Sequence, residues 1–298
     1  MSILGAFLFF ILVVIVGIIP FPIIYGFSNF LRFITEKIIG YRKKIIETNL
    51  VGSFPNKSKA EINKIIILYY KNLTDVIVEG IRAFTMNRRQ ILKRHKIINP
   101  EILEPYLLSG QSIIGVTGHF SNWEWGSLSA GMQVKHNVVA FYKPLKNRYI
   151  DKFVRWSRTK FGTTLASIAE TSLTFENHKD SPTIFLMATD QGVPKRYLDK
   201  AYWIHFLNRE TAFLYGAEKY AKLHNLPVIY IDIQRVKRGY YQVELSVLTN
   251  EPRSFEDGVV TKMFAERLES IITQKPEDWL WSHKRWKYKR PANIEMIK

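Results

Sequence analysis

The stretch Ser112-Ile-Ile-Gly-Val-Thr-Gly-His-Phe-Ser-Asn-Trp-Glu-Trp-Gly126 runs an apolar segment into a Gly-His turn and then directly into a helical pattern. Ile113, Ile114 and Val116 are β-formers in a short run, and residues 123–132 carry helical character. A strand, a tight turn and a helix are therefore predicted, with His119 at the carboxyl end of the strand. Open α/β sheets bind their ligands at that end. With the turn between them, His119 and Glu124 are both able to point back over the strand. A carboxylate on one imidazole nitrogen fixes the tautomer and leaves the other nitrogen as a base. Such a pair is the general-base half of a triad without its serine, suited to a hydroxyl nucleophile brought by the substrate. The same residues also spell Ser121-Asn-Trp-Glu124, a capping box in which Glu124 would only tie down the start of the helix.

Working outward, residues 137–141 read as a strand broken by Tyr142-Lys143-Pro144, and residues 147–160 as a helix with Arg155 and Arg158 near its end. Residues 182–188 are a continuous apolar run, the mark of a buried strand, ending at Thr189-Asp190-Gln191-Gly192. Polar groups again follow a strand end, although Asp-Gln-Gly is also ordinary turn chemistry. Residues 201–207 alternate like a strand. Asn208-Arg209-Glu210-Thr211 is expected to start a helix over 212–223, which would put a cation beside free helix amides, a phosphate or carboxylate site. Residues 227–233 and 241–248 read as paired strands around Lys237-Arg238-Gly239, and 255–273 as a closing helix. Upstream, Ser58-Lys-Ala-Glu61 opens a long packed helix through Phe84, and short helical pieces at 88–95 and 100–108 lead to the central strand.

No charged side chain occurs in residues 2–31, and 3–19 are almost wholly apolar. Seventeen helical residues reach roughly 26 Å, just short of a bilayer core, so an anchor over residues 1–30 is expected. Pro20 and Pro22 are expected to end it. A cleaved signal peptide is the rival, but no basic leader and no Ala-x-Ala-like site accompany the apolar run. Arg32, Lys37, Arg42, Lys43 and Lys44 follow, and the positive-inside rule keeps residues 31–298 at a cytoplasmic membrane face.

A chain of 298 residues with 47% hydrophobic content buries one substantial core, so one large domain is expected. Cysteine is absent, which excludes disulfides and cysteine-zinc sites, and the seven histidines show no zinc-protease spacing. Neither a metal nor another cofactor is expected. Lys and Arg number 43 against 26 Asp and Glu, a net charge of +17 that calls for an anionic partner: nucleic acid, an anionic membrane or an acidic protein. No nucleic-acid-binding motif is found, and charge for solubility alone is the plain alternative.

Gly118-His119-Phe-Ser-Asn122-Trp123-Glu124 resembles the His-x-x-x-x-(Asp/Glu) block of the glycerolipid and lysophospholipid acyltransferase superfamily, in the Asn-Trp-Glu form of the lipid A biosynthesis lauroyl/myristoyl acyltransferases. Phe141-Tyr-Lys143-Pro-Leu-Lys-Asn147, followed by Arg158-Thr-Lys-Phe-Gly162, is similar to a second block of that family, and Asp190-Gln191 to a third. The segment at Arg209 is also similar, although the usual Phe-Phe-Gly ahead of the arginine reads Phe206-Leu207-Asn208 here. Pro276-Glu-Asp-Trp-Leu-Trp-Ser-His-Lys-Arg-Trp-Lys287 resembles the family's terminal Trp-rich block; by chemistry alone it suits either a membrane boundary or packing with cation-π contacts.

The resemblance implies an α/β fold with a mixed central sheet flanked by helices. It further implies transfer of a fatty acyl chain from an acyl carrier protein or coenzyme A thioester to a hydroxyl of a lipid A precursor, an anionic lipid, at the inner membrane. His119 with Glu124 would be the base, and Arg158 would stabilise the oxyanion. Asn122, Trp123, Lys143, Asp190, Gln191 and Arg209 would bind substrate. A lysophospholipid or amino-acid-linked lipid is the alternative acceptor, and a non-catalytic lipid-binding protein the alternative of another class. A serine hydrolase is excluded, since no Gly-x-Ser-x-Gly occurs and Ser127-Leu-Ser-Ala-Gly131 is the nearest miss.

Overall fold

The computed structural model describes residues 3–297. Helices α1 (Ile3–Ile18), α2 (Phe21–Phe33), α3 (Lys43–Ser53) and α4 (Lys59–Ala83) open the chain. Next come α5 (Arg88–Arg94), β1 (His95–Ile97), α6 (Glu104–Leu108), β2 (Ile113–Thr117), α7 (Glu124–Gln133) and β3 (Asn137–Tyr142). The middle holds α8 (Arg148–Thr159), β4 (Thr163–Ser167), α9 (Thr171–Asn177), β5 (Thr183–Ala188), β6 (Tyr202–Phe206) and β7 (Arg209–Phe213). The chain closes with α10 (Gly216–His224), β8 (Val228–Lys237), β9 (Tyr240–Thr249) and α11 (Val259–Gln274).

Seven strands form one sheet in the order β1-β9-β8-β2-β5-β3-β4. Strands β8, β2, β5, β3 and β4 run parallel, and β9 turns back antiparallel to β8, so the sheet is mixed as expected. Alternation along β2 sets its two faces. Ile114 and Val116 join Tyr230, Phe264 and Leu268 on the side of α11, whereas Ile113 packs with Trp125 and Leu128 of α7. From β2 the chain crosses through α7 to β3. From the adjacent β5 it returns through β6, β7 and α10 to β8, on the other side of β2. Connections that leave neighbouring strands in opposite directions open a crevice at their carboxyl ends.

The capping box at Ser58 forms in full, with Glu61 N–H donating to Ser58 Oγ and Ser58 N–H to the Glu61 carboxylate. The capping box read at Ser121 does not form. Ser121 has a left-handed φ of 52° and its N–H donates to Asp278 O, while α7 starts only at Glu124, where Asn122 rather than Ser121 accepts a first-turn N–H, that of Trp125. Nor does a helix begin at Asn208. Leu207 and Asn208, both at positive φ, make a two-residue hairpin turn, and Arg209 opens β7, which pairs with β6. The helix starts later, at Gly216.

At the N-terminus the expected single anchor is divided. Helix α1 has 16 residues, about 24 Å, and among the described residues no helix is long and apolar enough to cross a membrane. Pro22 does not stop a helix but sits in the first turn of α2, where its missing N–H costs nothing. Both helices lie against α4. Val16 and Ile24 pack with Val78, Tyr25 OH donates to Glu79 at 2.8 Å, and Ser28 Oγ donates to Asp75 at 2.6 Å. The expected boundary at residue 30 therefore falls inside α2. Leu4, Phe7, Ile15 and Ile18 of α1, and Phe27 and Phe30 of α2, remain exposed. Met1 and Ser2 of the expected anchor, and Lys298, lie outside the described residues.

Candidate active site

Adjacent parallel strands β2 and β5 end side by side, with Thr117 opposite Ala188, and each is followed by a polar group. His119 after β2 and Asp190 after β5 meet there. The backbone N–H of His119 donates to Asp190 Oδ2 at 2.7 Å, and His119 Nδ1 lies 2.5 Å from Oδ1. Trp279 Nε1–H, from the Trp-rich tail, donates to Oδ2 at 2.8 Å. Gly118 lets the backbone approach this carboxylate, since a Cβ would stand 3.2 Å from Oδ2 and 2.9 Å from Leu268 Cδ1.

Burial alone would raise the Asp190 pKa, but the charge of His119 and these donors bring it down to about 2. Burial alone would lower the His119 pKa, and the Asp190 carboxylate raises it above the ordinary value instead. An acceptor at Nδ1 fixes the tautomer that leaves a lone pair on Nε2. The Gln191 amide nitrogen lies 3.0 Å from Nε2.

The carboxylate on the histidine is thus Asp190, not Glu124. Glu124 instead holds Arg158, whose Nη2 donates to Oε1 at 2.8 Å and to Oε2 at 2.6 Å. The reason is direction: Glu124 is the first residue of α7 and faces the end of α8, which contributes Arg158. Trp123 packs edge-on against the imidazole, with ring centroids 5.2 Å apart.

A cavity of 1180 Å³ extends from this group along the α7 side of the sheet. Its sheet wall is one alternating set, Ile113 and Gly115 of β2, Ile184 and Leu186 of β5, Val138 and Ala140 of β3. His119, Glu124, Arg158, Gln191 and Lys143 line it as well. From Thr117 to Ile113 the sheet alone supplies about 13 Å of apolar depth. Among the described residues no cluster of His, Asp and Glu is arranged to hold a metal ion.

The sequence profile of the family described as "Bacterial lipid A biosynthesis acyltransferase" matches residues 1–288. The chain belongs to that family. It is also 22% identical over 279 residues to the "Lipid A biosynthesis lauroyltransferase" of Escherichia coli (strain K12), covering 93% of this chain and 89% of the relative. It is an enzyme, an acyltransferase of lipid A biosynthesis, and the family implies an acyl donor and a lipid A precursor as acceptor.

In this lipid A biosynthesis acyltransferase the remaining candidate residues separate by position. Lys143 is exposed at the cavity. Asn122 is fully buried and faces away from it: its amide donates to Glu79 Oε2 at 2.7 Å and its oxygen accepts from Trp125 N–H. Glu79 also accepts from Tyr25 and Tyr241, so Asn122 joins the turn before α7 to a buried polar network on α4. Arg209 opens β7 and not a helix, and the helix end it meets is the last turn of α3. Its guanidinium stacks 4.4 Å over the Trp286 ring and packs on Gly52 of α3. Of the two readings of the tail, packing is the one observed for its central residues, with Trp279 and Trp281 buried. In the sequence Trp279 stands out only as part of the Trp-x-Trp pattern, and the fold alone brings it to Asp190.

Proposed function

We propose that His119 Nε2 is the base that takes the proton of a lipid A precursor hydroxyl as that oxygen attacks the thioester carbonyl of a fatty acyl donor. The observation that carries this reading is the Asp190 carboxylate on Nδ1, which leaves Nε2 as a lone pair facing the cavity mouth. The acceptor hydroxyl displaces the Gln191 amide from Nε2. Negative charge develops on the carbonyl oxygen, and the Arg158 guanidinium, held by Glu124, stabilises it. Collapse of the tetrahedral intermediate breaks the carbon-sulfur bond. The thiolate leaves with the proton from His119, and the ester remains on the lipid. No protein nucleophile is needed.

The acyl chain of the donor lies in the 1180 Å³ cavity along the sheet. Lys143 at its mouth, with Lys146, Arg148, Lys152 and Arg155 before and along α8, suits an acidic acyl carrier protein or the phosphates of coenzyme A. The exposed apolar faces of α1 and α2 lie in the inner membrane surface as a monotopic anchor, with the catalytic domain on the cytoplasmic side. Purified enzyme given a lipid A precursor with either acyl carrier protein or coenzyme A thioester tests this by mass spectrometry. Addition of one acyl group to the lipid is the expected product, and thioester consumption without lipid product would refute the reading.

A further inference from the structure

Helix α4 and the residue after it carry an apolar face that α1 and α8 cover only in part, with Phe84 packed on Phe9 and Phe153 and Ile77 left exposed. Leu73, Ile77, Gly80, Ile81 and Phe84 recur at helical spacing and line a second cavity of 520 Å³. Phe9 of α1 and Val154 of α8 contribute to its wall, and Ile77 (42% exposed) and Leu145 (46%) show that it opens to the outside. Trp123, Glu124 and Arg158 line this cavity and the sheet cavity alike. Two apolar spaces therefore converge on the Glu124–Arg158 pair, beside His119.

Gly80 keeps the second space open. Glycine in a helix interior is destabilising, and packing does not require it here, since a Cβ at this position would meet nothing within 4 Å. A side chain larger than alanine would stand in the cavity.

We propose that this second cavity holds a hydrocarbon chain of the lipid acceptor and so brings the acceptor hydroxyl to His119; the inference rests on the acyltransferase reading above. Two chain-bearing substrates that react at one base need two apolar spaces meeting at it. The donor chain has the cavity walled by the sheet. The second one adjoins α1, whose Leu4, Phe7 and Ile15 are exposed, so a lipid reaches it from the apolar side of the protein. Arg42 also lines it and offers a cation to an anionic headgroup. Its volume lies within the range of roughly 300–1,000 Å³ that encloses most of a small ligand.

The experiment is steady-state kinetics of Gly80→Leu and Ile77→Trp, with Gly80→Ala as the control that adds a Cβ into open space. The acceptor is a lipid A precursor and analogues with each acyl chain shortened in turn; the donor is an acyl thioester series of varied length. Loss of several buried methylenes should raise the acceptor KM at least about tenfold in both larger variants. The donor KM and preferred donor length should stay as in wild type, and one shortened acceptor should lose its disadvantage against the full-length lipid. Gly80→Ala should keep wild-type kinetics. Unchanged acceptor KM in a folded larger variant would overturn the proposal, and so would a change confined to donor length, which would assign the cavity to the donor. Absence of transfer by the wild type itself would instead remove the functional reading, and this inference with it.

Discussion

His119 and Asp190 are joined twice, the backbone N–H of the histidine bonding one oxygen of the carboxylate and Nδ1 the other, at 2.7 and 2.5 Å. The second contact orients a ring, and the first fixes where the ring is mounted. Trp279 closes the set on Asp190 Oδ2, so the tail of the chain takes part in placing the proposed base.

The first prediction concerns pH. Burial lowers the His119 pKa and Asp190 raises it further than burial lowers it, so the folded value stands above the ordinary one. The proposed base acts neutral, and the rate should therefore be lost as pH falls through that raised value. Asp190→Asn removes the raising charge and leaves the burial. The acidic limb of the kcat profile should move to lower pH while its plateau falls by about 10²- to 10⁴-fold. A limb that stays in place would show that Asp190 does not set the basicity of His119.

Glu124 and Arg158 should behave as one unit. Arg158→Ala is expected to lower kcat by about 10²- to 10³-fold with modest change in KM. Glu124→Gln should lose much of the same factor, because an unanchored guanidinium no longer meets the carbonyl oxygen. The double variant should be little worse than Arg158→Ala alone. Fully multiplicative losses would separate the two roles.

Under the proposed function, donor chain length should be set along the sheet wall. A Cβ at Gly115 would stand 2.7 Å from Ile231 Cδ1 and 2.9 Å from Leu186 Cδ2, both flexible side-chain ends that line the cavity. Gly115→Ala should push them into it and shift the preferred acyl thioester to a shorter chain while short donors keep near-normal kcat. An unaltered length profile in the folded variant would count against the donor cavity.

Arg209 should matter for folding more than for binding. It is stacked on Trp286, a contact worth about 0.5–2 kcal/mol, and a guanidinium nitrogen of it is buried. Arg209→Ala should lower stability to urea by that order while KM for donor and acceptor change less than about twofold at low and high salt. A large, salt-dependent rise in acceptor KM would restore the anion-site reading.

These particulars also show what was legible from residues alone. The Ser58 capping box and the runs that became β2, β3, β5, β8 and β9 were readable because their signals are local: a cap four residues long, an apolar period. Strands β1 and β4 were missed, being three and five residues at the two edges of the sheet and defined by pairing with distant partners. Asn208-Arg209 looked like a helix start because asparagine serves turns and caps equally, and only β6 decides for the hairpin. Polar groups at the ends of two apolar strands marked His119 and Asp190 separately. Their contact spans 71 residues and depends on β2 and β5 being neighbours, which strand order settles and composition does not.

The most direct test of the central claim is the initial rate of acyl transfer from a thioester to a lipid A precursor by His119→Ala against wild type, at saturating donor and acceptor. The variant should retain the circular dichroism of the wild type with a lower urea midpoint, since Asp190 loses its charged partner but keeps its bonds to the residue-119 N–H and to Trp279. Its transfer rate should fall by about 10²- to 10⁴-fold, the usual contribution of a positioned base. A folded His119→Ala enzyme that transfers acyl groups at the wild-type rate would contradict the account.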